Sequence, residues 1–424
     1  MNRVIKTGTM IEIRFLGGCT EVGKLGMLID TGSEKFLWEY GISVQSGEKP
    51  IQPKTNLDGA FVSHAHLDHS GMLPQIYRLG YDGPLYCDPA TLDLLSILLR
   101  DSLKLQKREG GPLDYLMQDI KKLERNVRFL RVNEKEDFVT SSVSFHNAGH
   151  IPGSVMPLLE NGGKRILFTG DVKFIETQLM VGAQTKFKDI DLLISESTYS
   201  YTNHPDRKSL ETSLKKIVQE TVHGGGICLI PAFAVGRTQE LLMILYELGV
   251  PIYIDGMGIR ATEAILRHPK NVKDHKTLQK AFSRAHKVER GTNRDRITES
   301  PCVILTTAGM LNGGPVVHYI SRLYERPDCS LIFTGFQVPG TAGRTLLDTG
   351  KFVHEDIEVR PRMRMEFLDF SAHTDHDHLV QFYKKVKPKK ILLVHGEKTN
   401  EFAKELQKQG FDAHAPKNGE TIEV

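Results

Sequence analysis

The sequence predicts a layered α/β protein built in two parts. Three observations predict it. Short apolar runs of strand length recur along the chain, and from residue 140 onward nearly each ends in a loop carrying His, Asp or Glu. Between about residues 201 and 365, strands alternate with helical stretches, the pattern of a small parallel, doubly wound domain. Chemistry-bearing histidines return after that stretch, at His373 and His395, so the middle reads as an insertion. At 424 residues the chain exceeds one ordinary core. The expected boundaries are 1–200 for the first part of the main domain, 201–365 for the insert and 366–424 for its last part.

The elements follow in order. Ile11, Ile13 and Phe15 alternate with polar residues, as do positions around Phe36-Leu37-Trp38, with turns at Gly17-Gly18 and Thr31-Gly32-Ser33. The run Ala60-Phe61-Val62-Ser63 reads as a strand feeding His64-Ala65-His66-Leu67-Asp68-His69. In a β-conformation His64 and His66 point to one side. Asp68 and His69 then fall where the chain enters a helix around 71–77. A helical region from about Pro89 to Leu123 carries Leu92, Leu95, Leu98 and Leu99 on one face and breaks at Gly110-Gly111-Pro112. Strands then lead to loaded loops: 144–146 to His150, 165–168 to Asp171, 191–194 to Glu196, 366–368 to His373 and 390–394 to His395. In layered α/β folds, sites gather at such strand ends. In the insert, strands at 227–231, 251–254, 302–305 and 330–333 and a helix over 237–248 are expected.

Composition narrows the function classes. A net charge of +3 identifies no polyanion partner by itself, so nucleic acid would have to be held by a local patch. Five scattered cysteines form neither a CxxC pair nor a disulfide framework, and reduced thiols in a cytoplasmic protein are the expectation. No apolar run approaches the ~18 residues of a membrane span, so no membrane partner is expected. Met1–Gly17 lacks the apolar stretch of a signal peptide. Lys387, Lys389 and Lys390 read as a solvated face. The glycine-rich loops at 306–315 and 335–344 contain no GxxxxGK[ST], which argues against nucleoside triphosphate binding.

The histidines and carboxylates suggest a dinuclear metal centre. His64, His66 and His150 are candidates for one ion, Asp68, His69 and His395 for the other, with Asp171 between them. Imidazole and carboxylate ligands suit zinc, with manganese or iron possible. Two such ions roughly 3.5–4 Å apart can hold one hydroxide and polarise a phosphoryl or carbonyl oxygen.

These residues also carry a resemblance. HAHLDH, Gly149-His150 and Thr169-Gly170-Asp171 resemble the ligand motifs of the metallo-β-lactamase superfamily. Glu196 in SESTY, His373 in SAHTD and His395 in VHGE resemble the further motifs of its β-CASP nucleases, and Pro231–Leu241 resembles their inserted domain. The resemblance implies a metallo-β-lactamase αββα sandwich with an inserted β-CASP α/β domain, and two zinc ions per chain. A His at the third motif resembles the RNA-cleaving branch. The chain resembles archaeal homologues of the pre-mRNA 3′-end cleavage endonuclease, in the form without KH domains. The family's early motif Asp is matched by Glu39 in Leu37-Trp38-Glu39-Tyr40-Gly41, with Asp30 as an alternative. The resemblance implies that this carboxylate supports a ligand rather than binding metal.

The expected function is hydrolysis of phosphodiester bonds in single-stranded RNA, as an endonuclease, a 5′-to-3′ exonuclease or both. The attacking oxygen comes from the metal centre. The resemblance implies that His373 is the general acid, and Glu196 would hold it. Ser371, Arg237 and Arg344 are candidates to contact the substrate, and the family likeness implies a homodimer. Asp375 reads as a local cap, and His376 and His378 as surface residues. A small-molecule metallohydrolase of the same fold and a non-catalytic RNA-binding subunit stay open as alternatives.

Overall fold

The computed structural model describes residues 10–53 and 56–424; Met1–Thr9, part of the stretch in which no signal peptide is read, lie outside it. The chain divides into two compact units. The first comprises residues up to Glu176, Gly182–Asn203 and His373–Val424. The second comprises Thr177–Val181 and His204–Ala372.

The first unit is a sandwich of two seven-stranded sheets. One runs, in spatial order, Thr421–Glu423, Glu12–Gly17, Gly26–Asp30, Lys35–Tyr40, Gly59–Phe61, Leu85–Cys87 and Val127–Phe129. The other runs Ala413–His414, Lys390–Val394, Leu192–Glu196, Lys164–Phe168, Val155–Asn161, Ser141–Asn147 and Lys135–Asp137. Strand alternation assigns each side chain to a layer. Ile11, Ile13 and Phe15 are fully buried between the sheets with Trp38, Phe61, Ile166, Phe168 and Ile194. Leu167, Leu193 and Leu393 point the other way, into a second core with Leu379, Phe382, Phe402 and Leu406 of the helices His376–Val386 and Thr399–Lys408. The expected helical region is two helices, Pro89–Glu109 and Met117–Arg125. Asp88 caps the first through Ala90 N, with Pro89 at its start, and Gly110 ends it at φ 76°.

In the second unit a wholly parallel six-stranded sheet runs His286–Val288, Ile252–Asp255, Cys302–Thr306, Ile227–Pro231, Ser330–Phe333 and Arg364–Phe367. The last strand differs from the expectation. It adds to the edge of this sheet, pairing with Ser330–Phe333, instead of opening the returning part of the first unit. A strand of four residues, Arg-Met-Glu-Phe, does not encode which sheet edge it joins.

Two local readings also change. The strand before the histidine cluster ends at Phe61, so His64 lies in a bend beyond the strand, while His66 (φ −59°, ψ 143°) is the extended residue just before the next helix. Asp68 and His69 sit in a short helix, Leu67–Ser70. Asp375 caps the helix His376–Val386 through His378 N, and His376 and His378 are half-buried in ion pairs with Glu405 and Asp375. Asp30, the alternative to Glu39, is occupied at a turn, with Oδ1 accepting from Gly32 N and Oδ2 paired with Lys35.

One buried carboxylate ties the sheets together. Glu34 is 3% exposed and accepts from Thr140 N (2.7 Å), Thr140 Oγ1 (2.7 Å) and Ser141 Oγ (2.6 Å). Burial pushes its carboxyl up, but the bonds from Ser141 and Thr140 outweigh this and hold it below the usual range. Its stabilisation is therefore present above the unfolded value, near 4.3, and fades as pH falls through the lower folded value. Glu34→Gln is expected to lower unfolding free energy by about 2–3 kcal/mol at pH 7. The gap to the parent should narrow in acid, as measured by denaturant titration at both pH values.

Candidate metal centre

Strand order explains how residues far apart in sequence meet. Lys164–Phe168, Leu192–Glu196 and Lys390–Val394 are parallel neighbours. Their carboxyl ends therefore deliver Asp171, Glu196 and His395 side by side. From the other sheet, the parallel pair Lys35–Tyr40 and Gly59–Phe61 delivers Glu39 and the His64–His69 segment. His150 follows Ser141–Asn147. All these residues belong to the first unit.

Their donor atoms converge in two groups that share Asp171. In the first, His66 Nδ1 lies 3.1 Å from both His64 Nε2 and His150 Nε2. Asp171 Oδ2 is 3.4 Å from His64 Nε2 and 3.6 Å from His150 Nε2. In the second, Asp171 Oδ1 is 3.2 Å from His69 Nε2 and 3.3 Å from His395 Nδ1, and Asp68 Oδ2 is 3.3 Å from His395 Nε2. One atom from each of His64, His66, His150 and Asp171 lies within 4.8 Å of the others, and so does one atom from each of Asp68, His69 and His395, which Asp171 Oδ1 adjoins. A tetrahedral shell with metal–ligand bonds near 2.0–2.1 Å has edges of about 3.3–3.4 Å, so this spacing suits a transition-metal ion. The hydrogen-bond pattern agrees. Both Asp171 oxygens and His69 Nε2 are buried without a hydrogen-bond partner among the described residues, as atoms reserved for a cation would be. Together, these residues could hold two ions with Asp171 between them.

The electrostatics follow from burial and from the carboxylates. Burial drives the His64 imidazole down to about 3 and lowers His66 and His150 as well, leaving neutral rings whose lone pairs can ligate. Burial opposes ionisation of Asp68 and Asp171, but the surrounding imidazoles outweigh it and keep both low. Burial also presses His69 down, yet Asp171 and Glu39 hold it well above its ordinary value. Metal binding at such a ring releases its proton.

A second layer orients these side chains. Glu39 is 1% exposed; its Oε2 is 2.6 Å from His69 Nδ1, and its two oxygens accept from Ser63 N (2.7 Å) and Ser63 Oγ (3.0 Å). Ser63 Oγ also lies 3.0 Å from His64 Nδ1. Glu39 and His395 adopt φ of 58° and 52°, a left-handed backbone costly for residues with a Cβ. Gly41 is required by proximity: a Cβ there would sit 1.7 Å from the Asp68 carbonyl oxygen.

His373 stands beside Asp171, with Nε2 3.9 Å from Oδ2. Its Nδ1 is 3.1 Å from Glu196 Oε2, and Lys173 Nζ donates to its carbonyl at 2.7 Å. Burial lowers this imidazole, but Glu196 and Asp171 outweigh it and raise it to about 9. The three substrate-contact candidates belong to the second unit. Within it, Ser371 N donates to Asp369 Oδ1 (3.1 Å), the buried Arg237 donates to the Thr334 carbonyl, and Arg344 pairs with Asp348 along one helix face (2.8 Å).

The chain has relatives among known proteins. Residues 21–219 match the metallo-β-lactamase superfamily, 238–346 the Beta-Casp domain, and 357–416 the Zn-dependent metallo-hydrolase RNA specificity domain. The chain is 37% identical to the probable RNase MJ4 of Methanocaldococcus jannaschii, over 98% of its own length and 100% of that protein's. It belongs to the β-CASP ribonucleases of the metallo-β-lactamase superfamily. It is also 34% identical to RNase aCSPSF2 of Saccharolobus solfataricus, covering 85% of that protein, and 34% identical to transcription termination factor FttA of Methanosarcina mazei, covering 67% of it. In each case the alignment spans most of this chain, 97% and 91% respectively. A crystal structure of a protein of unknown function from Enterococcus faecalis shares the fold, with a TM-score of 0.64 and 14% identity over 98% of this chain and 100% of its own.

In this β-CASP chain, sequence reasoning missed three supporting residues. Ser63 bonds Glu39 and His64, Lys173 bonds the His373 backbone, and Thr198 Oγ1 lies 3.2 Å from His395 Nδ1. Their positions next to motif residues were the available signal. Asp171→Ala is expected to remove at least half the bound metal, read by elemental analysis. Glu39→Gln is expected to weaken metal affinity about 10–100-fold, read by chelator competition. Full retention in both variants would remove these roles.

Proposed function

We propose that the chain is a ribonuclease that hydrolyses phosphodiester bonds of single-stranded RNA, endonucleolytically, from the 5′ end or both, in RNA processing or decay. Two zinc ions per chain are the proposed cofactors, with manganese or iron as substitutes. The observation that carries the reading is the His373–Glu196 pair beside Asp171. A bare metal centre suits many hydrolyses, but a held imidazole at its edge suits one that expels a poor leaving group such as a ribose alkoxide.

When bound, such ions supply Lewis acidity and lower the pKa of water, the chemistry that attack on phosphorus needs. Glu39 orients His69, and Ser63 orients His64, so the imidazole lone pairs stay aimed. Glu196 Oε1 accepts from Val172 N at 2.7 Å, which fixes the carboxylate. That carboxylate retains the proton on His373 Nδ1 and leaves Nε2 to deliver its proton to the departing oxygen. Ser371, Arg237 and Arg344 remain the proposed substrate contacts.

Asp68→Ala is expected to abolish cleavage of unstructured RNA. His373→Ala is expected to cost about 10²–10⁴-fold in kcat on RNA and much less on a nitrophenyl phosphodiester, whose leaving group needs no proton. Undiminished RNA cleavage by both variants would overturn the assignment. The family likeness also supports a homodimer, and equilibrium sedimentation should then return twice the 47.7 kDa chain mass. All five cysteines are free and buried, which fits a reducing cytoplasmic setting.

A further inference from the structure

Charge is unevenly placed along this chain. Residues 267–296 hold ten lysines and arginines against three acidic residues, a net +7. The whole chain nets +3, so the rest of the molecule carries −4. This segment lies in the second unit and runs through the helix His275–Arg284 and the edge strand His286–Val288 to the short helix Arg294–Ile297.

The helix arranges part of that charge. Lys276, Lys280 and Arg284 are spaced four residues apart, which stacks them along one helix face, and all three are exposed. The opposite face is apolar and buried, with Leu278, Ala281 and Phe282 inside. Lys270, Arg290 and Arg296 are exposed on the short helices and the turn that flank it. None of these six makes an ion pair with a carboxylate among the described residues, whereas Arg294 of the same segment is bound to Asp255 at 2.6 Å. The stretch also carries an exposed aromatic ring: His286 stacks on Tyr253 with centroids 4.7 Å apart and planes at 24°.

Cations in a row repel one another, and although Arg284 lies over the Tyr246 ring (5.0 Å) and Asp274 feels Lys280 at longer range, no carboxylate among the described residues neutralises the row by a close ion pair. Such a row suits a ligand that brings negative charge at regular intervals along an extended chain. We propose that the Lys276–Lys280–Arg284 face of the second unit is a phosphate-backbone site for single-stranded RNA. It would hold the substrate by charge without reading its sequence. This rests on the ribonuclease reading for the identity of the strand, but the site needs no metal.

The test uses the full chain in EDTA, where no cleavage confuses binding. Anisotropy of a labelled uridylate oligomer is followed between about 50 and 300 mM salt. The variant is Lys276→Gln/Lys280→Gln/Arg284→Gln, which leaves the buried face of the helix intact. Affinity at low salt should fall about tenfold or more, equally for uridylate and adenylate oligomers. The slope of log affinity against log salt should flatten by about 2, from ~0.7 per lost phosphate contact. Unchanged affinity and slope would overturn the proposal, as would a wild-type chain that binds polyglutamate as tightly as RNA. Turnover of a nitrophenyl phosphodiester with metal present should be equal in parent and variant. Absence of that turnover in the parent would sink the ribonuclease reading alone, because the anisotropy result stands without it.

Discussion

The buried carboxylate of Asp171 is the constraint on which the first unit depends. It is 1% exposed and makes no conventional hydrogen bond among the described residues, a state that costs several kcal/mol unless positive charge surrounds it. Imidazoles flank both its oxygens, His64 and His150 at one and His69 and His395 at the other. The residues that satisfy it are thus also the ones that can share metal ions with it. Fold stability and site chemistry are coupled through a single side chain.

Topology makes that convergence possible. Parallel neighbouring strands end on the same side, so three successive strand ends of one sheet bring Asp171, Glu196 and His395 together without any loop reaching across. The other sheet supplies its own parallel pair for Glu39 and the histidine-rich segment. Strain is tolerated where this precision is needed. Glu39 and His395 both take left-handed backbone conformations, and Gly41 permits backbone contact with Asp68.

Reaction and recognition draw on different physics in this chain. The candidate metal centre is buried, crowded and dominated by short contacts, where burial and neighbouring charge decide the protonation states. The basic segment of the second unit is wet and screened by salt, and it acts by the number of charges presented. A nearly neutral chain can accommodate a polyanion because its positive charge is concentrated in 30 residues and offset elsewhere.

The sequence by itself determined the chemistry. HAHLDH, the later His and Asp at strand ends, and the strand–helix alternation of the insert are local patterns, set by side-chain type and spacing. It also determined the break at Gly110 and the cap at Asp375, which are decided within a few residues. Only the tertiary structure decided which imidazole Glu39 backs, His69, across a separation of 30 residues. It likewise decided that Arg364–Phe367 joins the sheet of the second unit, and that His64 and His66 meet through a bend rather than a strand. Those outcomes depend on strand pairing between distant segments, and the free energy of such pairing resides in the whole core, not in any local run of residues.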